Sequence, residues 1–401
     1  MKLSLEGVKV LEYGSFISAP FCGKMLADLG AEIIKVEKPG QGDIARKRGP
    51  FYKDKPGTER SGLFLYLNTN KLGVTLSPEK SSGKKIFKQL VQHVDILIED
   101  SKPGKMDALG LGYNDLKSLN PSLIMTSVTP FGQTGPYKEF KGSDLIAWQM
   151  GGAGYVTPRY AGTTEQEPLR AEQLASFITG INAAIATLCA LRVKRRDAIG
   201  QHLDVSQMES VVLLIAEHIG YPSYENWSPS RAARPWAAPR HFFKCKDGWV
   251  YLYVDEPHHW ERFVEAMGNP GWANVELFKD KYSRGEYWEG LQPLIADWVK
   301  DKTKAEVFDI GKSYGIPLTP GNSVAEVLES RQLKERGYFV EIEHPVTGKH
   351  TYPGAPYKFS KTPWSIRGPA PLLGQHNKAV YCDRLGYSET ELVEMYRVGI
   401  I

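Results

Sequence analysis

Cysteine is scarce in this sequence, and no two cysteines are closely spaced. The four are Cys22, Cys189, Cys245 and Cys382 in a chain of 401 residues. A disulfide framework needs a regular set of cysteines at short spacings, and a zinc site needs paired ligands, so neither is predicted. We therefore expect reduced thiols, no metal site and a cytoplasmic location.

The sequence also lacks a strong charge bias, and we expect neither a leader nor a membrane-spanning apolar run. Its formal net charge is +4 with 24% charged residues, which is too mild and too dispersed to indicate nucleic-acid binding. The first ten residues contain no apolar core of signal-peptide length, and we expect no stretch near the roughly 20 apolar residues of a membrane span. The 42% of hydrophobic residues fits a soluble protein of two domains.

A dinucleotide-binding fingerprint is missing too, although the chain opens like a nucleotide-binding fold. Residues 8–13 predict a buried strand, 21–30 a helix and 31–37 a second strand, which together form a βαβ unit. Because no Gly-x-Gly-x-x-Gly follows the first strand, a dinucleotide is disfavoured. A glycine-rich loop, Lys38-Pro-Gly-Gln-Gly-Asp43, follows the second strand instead, and it is either a ligand loop or a plain turn.

Strands and helices continue to alternate up to residue 206, which is typical of an α/β fold with a parallel sheet. Further strands are predicted at 63–67, 73–76, 94–99, 123–128 and 202–206, and helices at 84–93 and 113–119. Residues 44–62 show no period and predict a long surface excursion. Such a segment inside a compact domain favours binding or an interface.

The composition changes after residue 219. Residues 1–219 predict the first part of a large domain, and 220–240, rich in proline, arginine and aromatic residues, predict a linker. Residues 241–330 predict a small α+β domain that begins with a hairpin about Asp247-Gly248. Residues 331–401 predict a return segment that completes and wraps the large domain.

One long helix is predicted to end near Arg196, and it contains two sets of regularly spaced residues, one large and apolar and the other small. Large apolar residues recur at three- and four-residue steps from Leu174 to Leu191, and a second register holds small residues such as Ala175 and Gly180. Small residues allow another backbone to approach closely. We therefore expect this helix to be buried on more than one side.

Several segments spread over the whole chain carry a family resemblance. They include Gly7-Val-Lys-Val-Leu-Glu12, Asp28-Leu-Gly-Ala-Glu-Ile-Ile-Lys-Val-Glu-Lys-Pro-Gly-Gln-Gly-Asp43, Leu67-Asn-Thr-Asn-Lys71, Asp95-Ile-Leu-Ile-Glu-Asp-Ser-Lys-Pro-Gly104, Gly132-Gln-Thr-Gly-Pro-Tyr-Lys138, Gly200-Gln-His-Leu-Asp-Val-Ser206 and Pro371-Leu-Leu-Gly-Gln-His376. Together and in this order they resemble the class III CoA-transferases, the CaiB/BaiF family. The resemblance implies a large Rossmann-like domain with a parallel sheet, a smaller α+β domain and an interlocked dimer. It also implies coenzyme A or an acyl-CoA thioester as the substrate.

The resemblance further implies a set of residues that contact CoA. They are Phe16, Ile17, Lys38, Lys71, Asp100, Ser101, Lys102 and Lys138. The lysines suit phosphate groups. Ile17, Asp100 and Ser101 depart from the usual residue types of the family.

The catalytic aspartate of the family has no counterpart here, because Ser176, four residues before Gly180, occupies its position. In the family the aspartate attacks the acyl-CoA carbonyl, forms an anhydride and releases the CoA thiolate. A serine hydroxyl needs a base, and its ester returns an acyl group to thiolate poorly. Glu172, four residues before Ser176, would share its helical face as a base or a displaced carboxylate. Otherwise Ser176 is a small packing residue.

Three kinds of function remain open. The missing aspartate favours one subunit of a heteromeric CoA-transferase, paired with a homologous aspartate-bearing subunit in an interlocked heterodimer or heterotetramer. Its donor would be a dicarboxylic acyl-CoA of the succinyl-CoA type, and its acceptor a carboxylic acid such as benzylsuccinate. The alternatives are a stand-alone transferase or racemase-like enzyme that uses Glu172, although Ser143 replaces the racemase histidine, and a non-enzymatic CoA-thioester-binding protein.

Overall fold

The computed structural model describes residues 2–158, 167–231 and 238–401, and the chain divides into two compact units. The first unit comprises Met1–Gly154, Arg170–Ile219 and Gly337–Ile401. The second comprises Tyr155–Leu169 and Gly220–Arg336.

Six parallel strands form the sheet of the first unit, in the order β3-β2-β1-β4-β5-β6. The strands are β1 (Lys9–Tyr13), β2 (Glu32–Glu37), β3 (Lys71–Thr75), β4 (Ile96–Glu99), β5 (Ile124–Thr129) and β6 (Gln201–Ser206). The predicted α/β class and parallel sheet are therefore confirmed. Because the strand order reverses between β1 and β4, a ligand crevice is expected at the carboxyl ends of these strands.

Helices cover both faces of this sheet. In chain order they are α1 (Ser18–Asp28), α2 (Gly62–Leu67), α3 (Ser81–Gln92), α4 (Lys105–Ala108), α5 (Tyr113–Lys117), α6 (Asp144–Met150), α7 (Ala153–Val156), α8 (Leu174–Asp197) and α9 (Gln207–Leu214). The core on one face contains buried residues of α1 and α8, and the core on the other contains buried residues of α3. Because both faces of the sheet are buried, its strands contain continuous runs of Val, Ile and Leu.

The second unit is an α+β structure with a small antiparallel sheet. Its strands are β7 (Arg240–Cys245), β8 (Gly248–Tyr253) and β9 (Leu318–Gly321), and the pairing of Cys245 with Gly248 confirms the predicted hairpin. Helix α10 (Ala216–Glu225) spans the boundary after Ile219, and the remaining helices of the second unit are α11 (Pro257–Ala266), α12 (Lys281–Glu286), α13 (Trp288–Val299), α14 (Lys304–Tyr314), α15 (Val324–Glu329) and α16 (Arg331–Glu335). The predicted linker 220–240 carries regular structure at both ends, and its residues 232–237 lie outside the described part.

The return segment brings the chain back to the first unit. It contains the hairpin of β10 (Phe339–His344) and β11 (Gly348–Pro353), followed by α17 (Asn377–Tyr381) and α18 (Glu389–Arg397). Tyr381 donates a hydrogen bond to the Thr75 carbonyl at 2.8 Å, and Asn377 accepts one from the Thr75 amide at 2.9 Å. These contacts fix the return segment on the β3 edge of the sheet.

The predicted strand at 63–67 is wrong, because these residues form helix α2. The Ser61 hydroxyl accepts a hydrogen bond from the Phe64 amide at 3.2 Å, which caps the start of the helix. Asn68 donates its side-chain amide to the Phe64 carbonyl at 3.0 Å, which satisfies an acceptor near its end. Capping at both ends outweighs the strand preference of an aromatic and aliphatic run.

Helix α8 buries most of its small residues and only part of its large apolar ones. Ala175, Gly180 and Ala183 are buried, whereas Leu174 and Ile185 are 51% and 54% exposed. A Cβ atom on Gly180 would lie 2.8 Å from the Ser18 carbonyl oxygen of α1, so glycine permits this close approach. The prediction of burial on several sides is therefore wrong for part of the large apolar register.

By length and composition alone, α8 is the one helix among the described residues that could cross a membrane. This contradicts our expectation that no stretch comes near that size. The helix packs against α1, β5, β6 and α9, and it contributes Ala183, Ala184 and Leu191 to the core beside the sheet. These contacts identify α8 as a core helix of the first unit.

The contact between α1 and α8 predicts that Gly180→Ala destabilises the protein. A Cβ at residue 180 has to displace the Ser18 carbonyl or the Phe21 side chain, and such overpacking costs about 1–3 kcal/mol. The free energy of unfolding, measured by urea denaturation, checks this. Gly290→Ala in α13 is the control, because no atom lies within 4 Å of its added Cβ. The control should gain up to about 1 kcal/mol, and equal effects would refute the packing argument.

Candidate active site

A cavity of about 610 Å³ opens where β1, β2 and β4 end. Among its lining residues are four that the sequence analysis assigned to the ligand, namely Lys38, Asp100, Ser101 and Lys102. They come from the loops after β2 and β4, which meet at the point where the strand order reverses. The topology thus brings these four side chains together from distant parts of the chain.

The glycine-rich loop after β2 forms one wall of this cavity. Lys38, Gln41, Gly42 and Asp43 all line it, and Gly42 has a φ of +68° that favours glycine. The Gly42 amide donates to the Lys38 carbonyl at 2.9 Å, and the Asp43 amide donates to Glu37 Oε2 at 2.9 Å. The loop is therefore a hydrogen-bonded turn that also lines the cavity, which is compatible with both interpretations of it.

The buried ammonium group of Lys35 holds two loops of the cavity, the turn at Gly14 and the loop that ends at Asp43. It contacts Glu12 Oε1 at 2.9 Å, Asp43 Oδ2 at 2.8 Å and the Gly14 carbonyl at 3.0 Å, and it is fully buried. The two carboxylates outweigh burial and raise the Lys35 pKa above its usual value. Asp43 Oδ1 in turn accepts a hydrogen bond from the Phe16 amide at 2.8 Å. One buried cation thus connects β1 and β2 with the loops that follow these two strands.

Arg46 extends this network into the segment 44–62. Its guanidinium contacts both Glu37 oxygens, at 2.6 and 2.8 Å, and Glu59 Oε2 at 2.6 Å. It also lies 3.6 Å from the centre of the Phe64 ring and is only 1% exposed. The predicted surface excursion is therefore tied to the core through the buried side chain of Arg46.

Lys71 is a correction to the predicted ligand set. Its ammonium is buried and contacts Glu12 Oε2 at 2.8 Å, the Pro20 carbonyl at 2.8 Å and Asn68 Oδ1 at 3.0 Å. Burial lowers its pKa to about 8. Lys71 therefore neutralises Glu12 inside the protein and does not reach the cavity.

The other predicted ligand residues lie outside the lining of the cavity. Phe16 has a left-handed backbone with a φ of +66°, and Ile17 is fully buried at the start of α1. Lys138 is exposed on a turn, with its ammonium 3.9 Å from Glu139. Phe16 and Ile17 support the turn beside the cavity, and Lys138 is separate from it.

Ser176 lies on the first turn of α8, and its side chain points into the protein. Only 3% of the residue is exposed, and its hydroxyl accepts a hydrogen bond from Gln207 Nε2 at 2.9 Å. The Ser176 amide donates to Asp144 Oδ1 at 2.7 Å, and its carbonyl accepts from the Ser18 hydroxyl at 3.0 Å. This last hydrogen bond connects the first turn of α8 with the start of α1, the helix that follows the cavity-lining residues Gly14 and Ser15.

Comparison with known proteins assigns this arrangement to a family. The family model for CoA-transferase family III matches residues 5–377. The chain belongs to CoA-transferase family III. This result confirms the resemblance to the CaiB/BaiF proteins and identifies an enzyme of the CoA-transferase type.

Individual members of family III match nearly the whole chain. Succinyl-CoA--D-citramalate CoA-transferase of Chloroflexus aurantiacus is 33% identical over 99% of this chain and 98% of its own length. The beta subunit of succinyl-CoA--L-malate CoA-transferase of the same organism is 32% identical over 100% and 98%. A CaiB/BaiF family protein from Brucella suis has a similar structure, with a TM-score of 0.86, 28% identity and coverage of 96% and 100%.

Glu172 is a second correction to the predicted site. It is exposed and precedes α8, which begins at Leu174. Gln173 between them has a left-handed φ of +65°, so the helical spacing from Ser176 does not extend back to Glu172. The carboxylate that contacts Ser176 is Asp144, which lies 32 positions earlier in the chain.

Sequence reasoning also missed a charged cluster on the rim of the cavity. Lys105, Glu79 and Tyr13 line the opening, with Lys105 Nζ 3.4 Å and Tyr13 Oη 3.5 Å from Glu79 Oε1. Burial and the charge of Glu79 raise the pKa of the Tyr13 hydroxyl. The sequence pointed to this cluster only through the position of Lys105, which lies three residues after the predicted ligand residue Lys102.

This arrangement offers no base for a serine nucleophile among the described residues. Gln207 meets the Ser176 hydroxyl as a donor, and Asp144 contacts the backbone amide, so neither takes a proton from Oγ. Within the described chain no group of three His, Cys, Asp or Glu side chains has the arrangement of a metal site. Among the described residues, the Ser176 hydroxyl therefore has a hydrogen-bond donor beside it and no group that accepts its proton.

The buried network predicts a large loss of stability for Lys35→Met. Removing the cation leaves Glu12 and Asp43 as buried carboxylates without their common partner, which costs about 3–5 kcal/mol. Urea denaturation followed by circular dichroism measures the loss. Lys378→Met is the control, because the Lys378–Glu389 ion pair is exposed and should leave the unfolding midpoint unchanged. Equal midpoints for both variants would refute the role of Lys35.

Proposed function

We propose that this chain is the subunit of a heteromeric CoA-transferase that does not carry the acyl group. The observation that carries the proposal is Ser176, which holds the first turn of α8 in a site that otherwise keeps its ligand cavity. A carboxylate is ionised at neutral pH and serves as an acyl carrier, whereas this hydroxyl has no described base. The covalent step therefore belongs to a homologous subunit with aspartate at the corresponding position.

The donor in this proposal is a dicarboxylic acyl-CoA of the succinyl-CoA type, and the acceptor is a carboxylic acid such as benzylsuccinate. Support for the donor comes from relatives named for succinyl-CoA, including a human succinyl-CoA:glutarate CoA-transferase that is 29% identical over 99% of this chain and 90% of its own length. Lys38, Lys102 and Lys105 at the cavity provide cations for the phosphates of CoA.

The partner is the aspartate-bearing homologue, interlocked with this chain in a cytoplasmic heterodimer or heterotetramer. One relative is itself named as a beta subunit, so subunit division occurs within the family. Large apolar side chains on α8 and α9 are exposed, among them Ile185 at 54% and Leu213 at 61%. Exposed apolar residues on neighbouring helices favour a surface covered by another chain.

A second candidate is a stand-alone transferase in which Asp144 carries the acyl group. The specific observation is that Asp144 Oδ1 lies 2.7 Å from the Ser176 amide, beside the family's nucleophile position. In this mechanism the carboxylate attacks the thioester carbonyl, the C–S bond breaks, and CoA leaves as thiolate. Asp144→Asn should then abolish turnover by the lone chain.

The first proposal predicts that the lone wild-type chain does not transfer CoA from succinyl-CoA to benzylsuccinate. Addition of the homologous aspartate-bearing subunit should restore transfer, and hydroxylamine trapping should place the acyl group on that subunit. Trapping on this chain would overturn the proposal and favour the Asp144 mechanism.

Replacement of the serine provides an independent prediction. Ser176→Asp places a carboxylate within reach of Gln207 Nε2, which now donates to the hydroxyl, and it should give the lone chain measurable transfer activity. Ser176→Asn is the matched control, because it has the same shape without an ionised nucleophile. Activity of both variants, or an acyl adduct on Ser176→Asn, would contradict the role of the carboxylate.

The cavity predicts that Lys102→Ala weakens CoA binding about tenfold or more. The loss of one charge-assisted hydrogen bond to phosphate accounts for this change. Calorimetric titration of CoA measures it, with Lys300→Ala in the second unit as the control of equal charge. Equal affinities would place CoA outside this cavity.

A further inference from the structure

Asp100 is a carboxyl group on the wall of the cavity with no cation of its own. It follows β4, and its Oδ2 accepts a hydrogen bond from the Ser15 amide at 2.7 Å. Within the described chain, no lysine, arginine or histidine forms an ion pair with it, although Lys38, Lys102 and Lys105 line the same cavity. Its second oxygen, Oδ1, has no hydrogen-bond partner among the described residues and remains available to a ligand.

The charged groups around Asp100 disfavour its ionised form. Burial, together with the neighbouring carboxylates Glu99 and Asp43, raises its pKa to about 8 against the opposing effect of the Ser15 amide. Lys35 lowers the pKa only weakly, because its ammonium already contacts Glu12, Asp43 and the Gly14 carbonyl.

Several other titratable groups on the surrounding elements already have partners. On β1, Tyr13 contacts Glu79, which also pairs with Lys105 of α4. On β2, Glu37 is held by Arg46. Glu99 Oε2, at the end of β4, accepts the Ser101 amide at 2.7 Å. Lys35 is therefore the cation that acts on the Asp100 carboxyl, and Lys38 and Lys102, which line the same cavity, form no ion pair with it among the described residues.

We propose that Asp100 binds its ligand as a neutral carboxylic acid and donates a hydrogen bond from Oδ1 to an acceptor atom of CoA. This inference rests on the proposed function, because it takes the CoA moiety as the occupant of the cavity. A protonated carboxyl has one O–H donor, whereas an ionised one only accepts. An ionised Asp100 would also repel the phosphates that Lys38 and Lys102 attract.

The direction of the pH dependence follows from this protonation. When only the neutral form donates, affinity falls as pH rises past 8, because a growing fraction of the free protein carries the carboxylate. Between pH 7 and pH 9 the dissociation constant should increase about tenfold from this group alone. An asparagine at this position keeps the shape and donates at every pH.

The test is a calorimetric titration of CoA into the full-length wild type and Asp100→Asn at pH 7, 8 and 9. Protonation changes of CoA and of the cavity lysines with pH affect both proteins equally, so they cancel in the ratio of the two dissociation constants. We expect the ratio of wild type to variant to rise about tenfold from pH 7 to pH 9. A constant ratio overturns the inference while leaving the proposed function intact.

Asp100→Leu separates hydrogen-bond donation from mere absence of charge. It is neutral but has no donor, so it should bind CoA about three- to tenfold more weakly than Asp100→Asn at all three pH values. Equal affinities of the two variants overturn the donation. Absence of CoA binding by all three proteins overturns the proposed function, and this inference with it.

Discussion

The ion contacts of Lys35 are the constraint on which the architecture of the site depends. A buried ammonium requires compensation by charge and hydrogen bonds, and here the compensation comes from β1, from the Gly14 turn and from the loop that ends at Asp43. Asp43 then fixes the Phe16 amide, so the left-handed turn and the glycine-rich loop are set by one group. The positions of the loops that line the cavity are set by their shared contacts with the Lys35 ammonium.

The parts of the fold that repeat a local pattern could be predicted from the sequence. Buried runs bounded by glycine located β1 and β2, and turn chemistry located the Asp247-Gly248 hairpin. Helix α2 could not be predicted from its composition, because Ser61 and Asn68 decide its ends. The loops at the cavity were found because the ends of parallel strands meet at one edge.

The side chains of the site depend on long-range contacts that no local pattern contains. Lys71 and Lys38 both follow or begin strands, yet the first faces Glu12 inside the protein and the second faces the cavity. Ser176 could be located by counting from Gly180, but its partners Asp144 and Gln207 lie 32 and 31 positions away. Glu172 was misplaced because one left-handed residue, Gln173, breaks the helical spacing.

The attachment of the return segment to β3 has a consequence for synthesis. Asn377 and Tyr381 hydrogen-bond to Thr75 across 302 and 306 positions, so the β3 edge stays open while the intervening chain leaves the ribosome. The second unit lies within residues 155–336, so all of it is synthesised before the return segment that closes the first. Throughout that interval the nascent sheet offers a bare strand edge, and a chaperone or a partner subunit that engages it would act before the chain is finished.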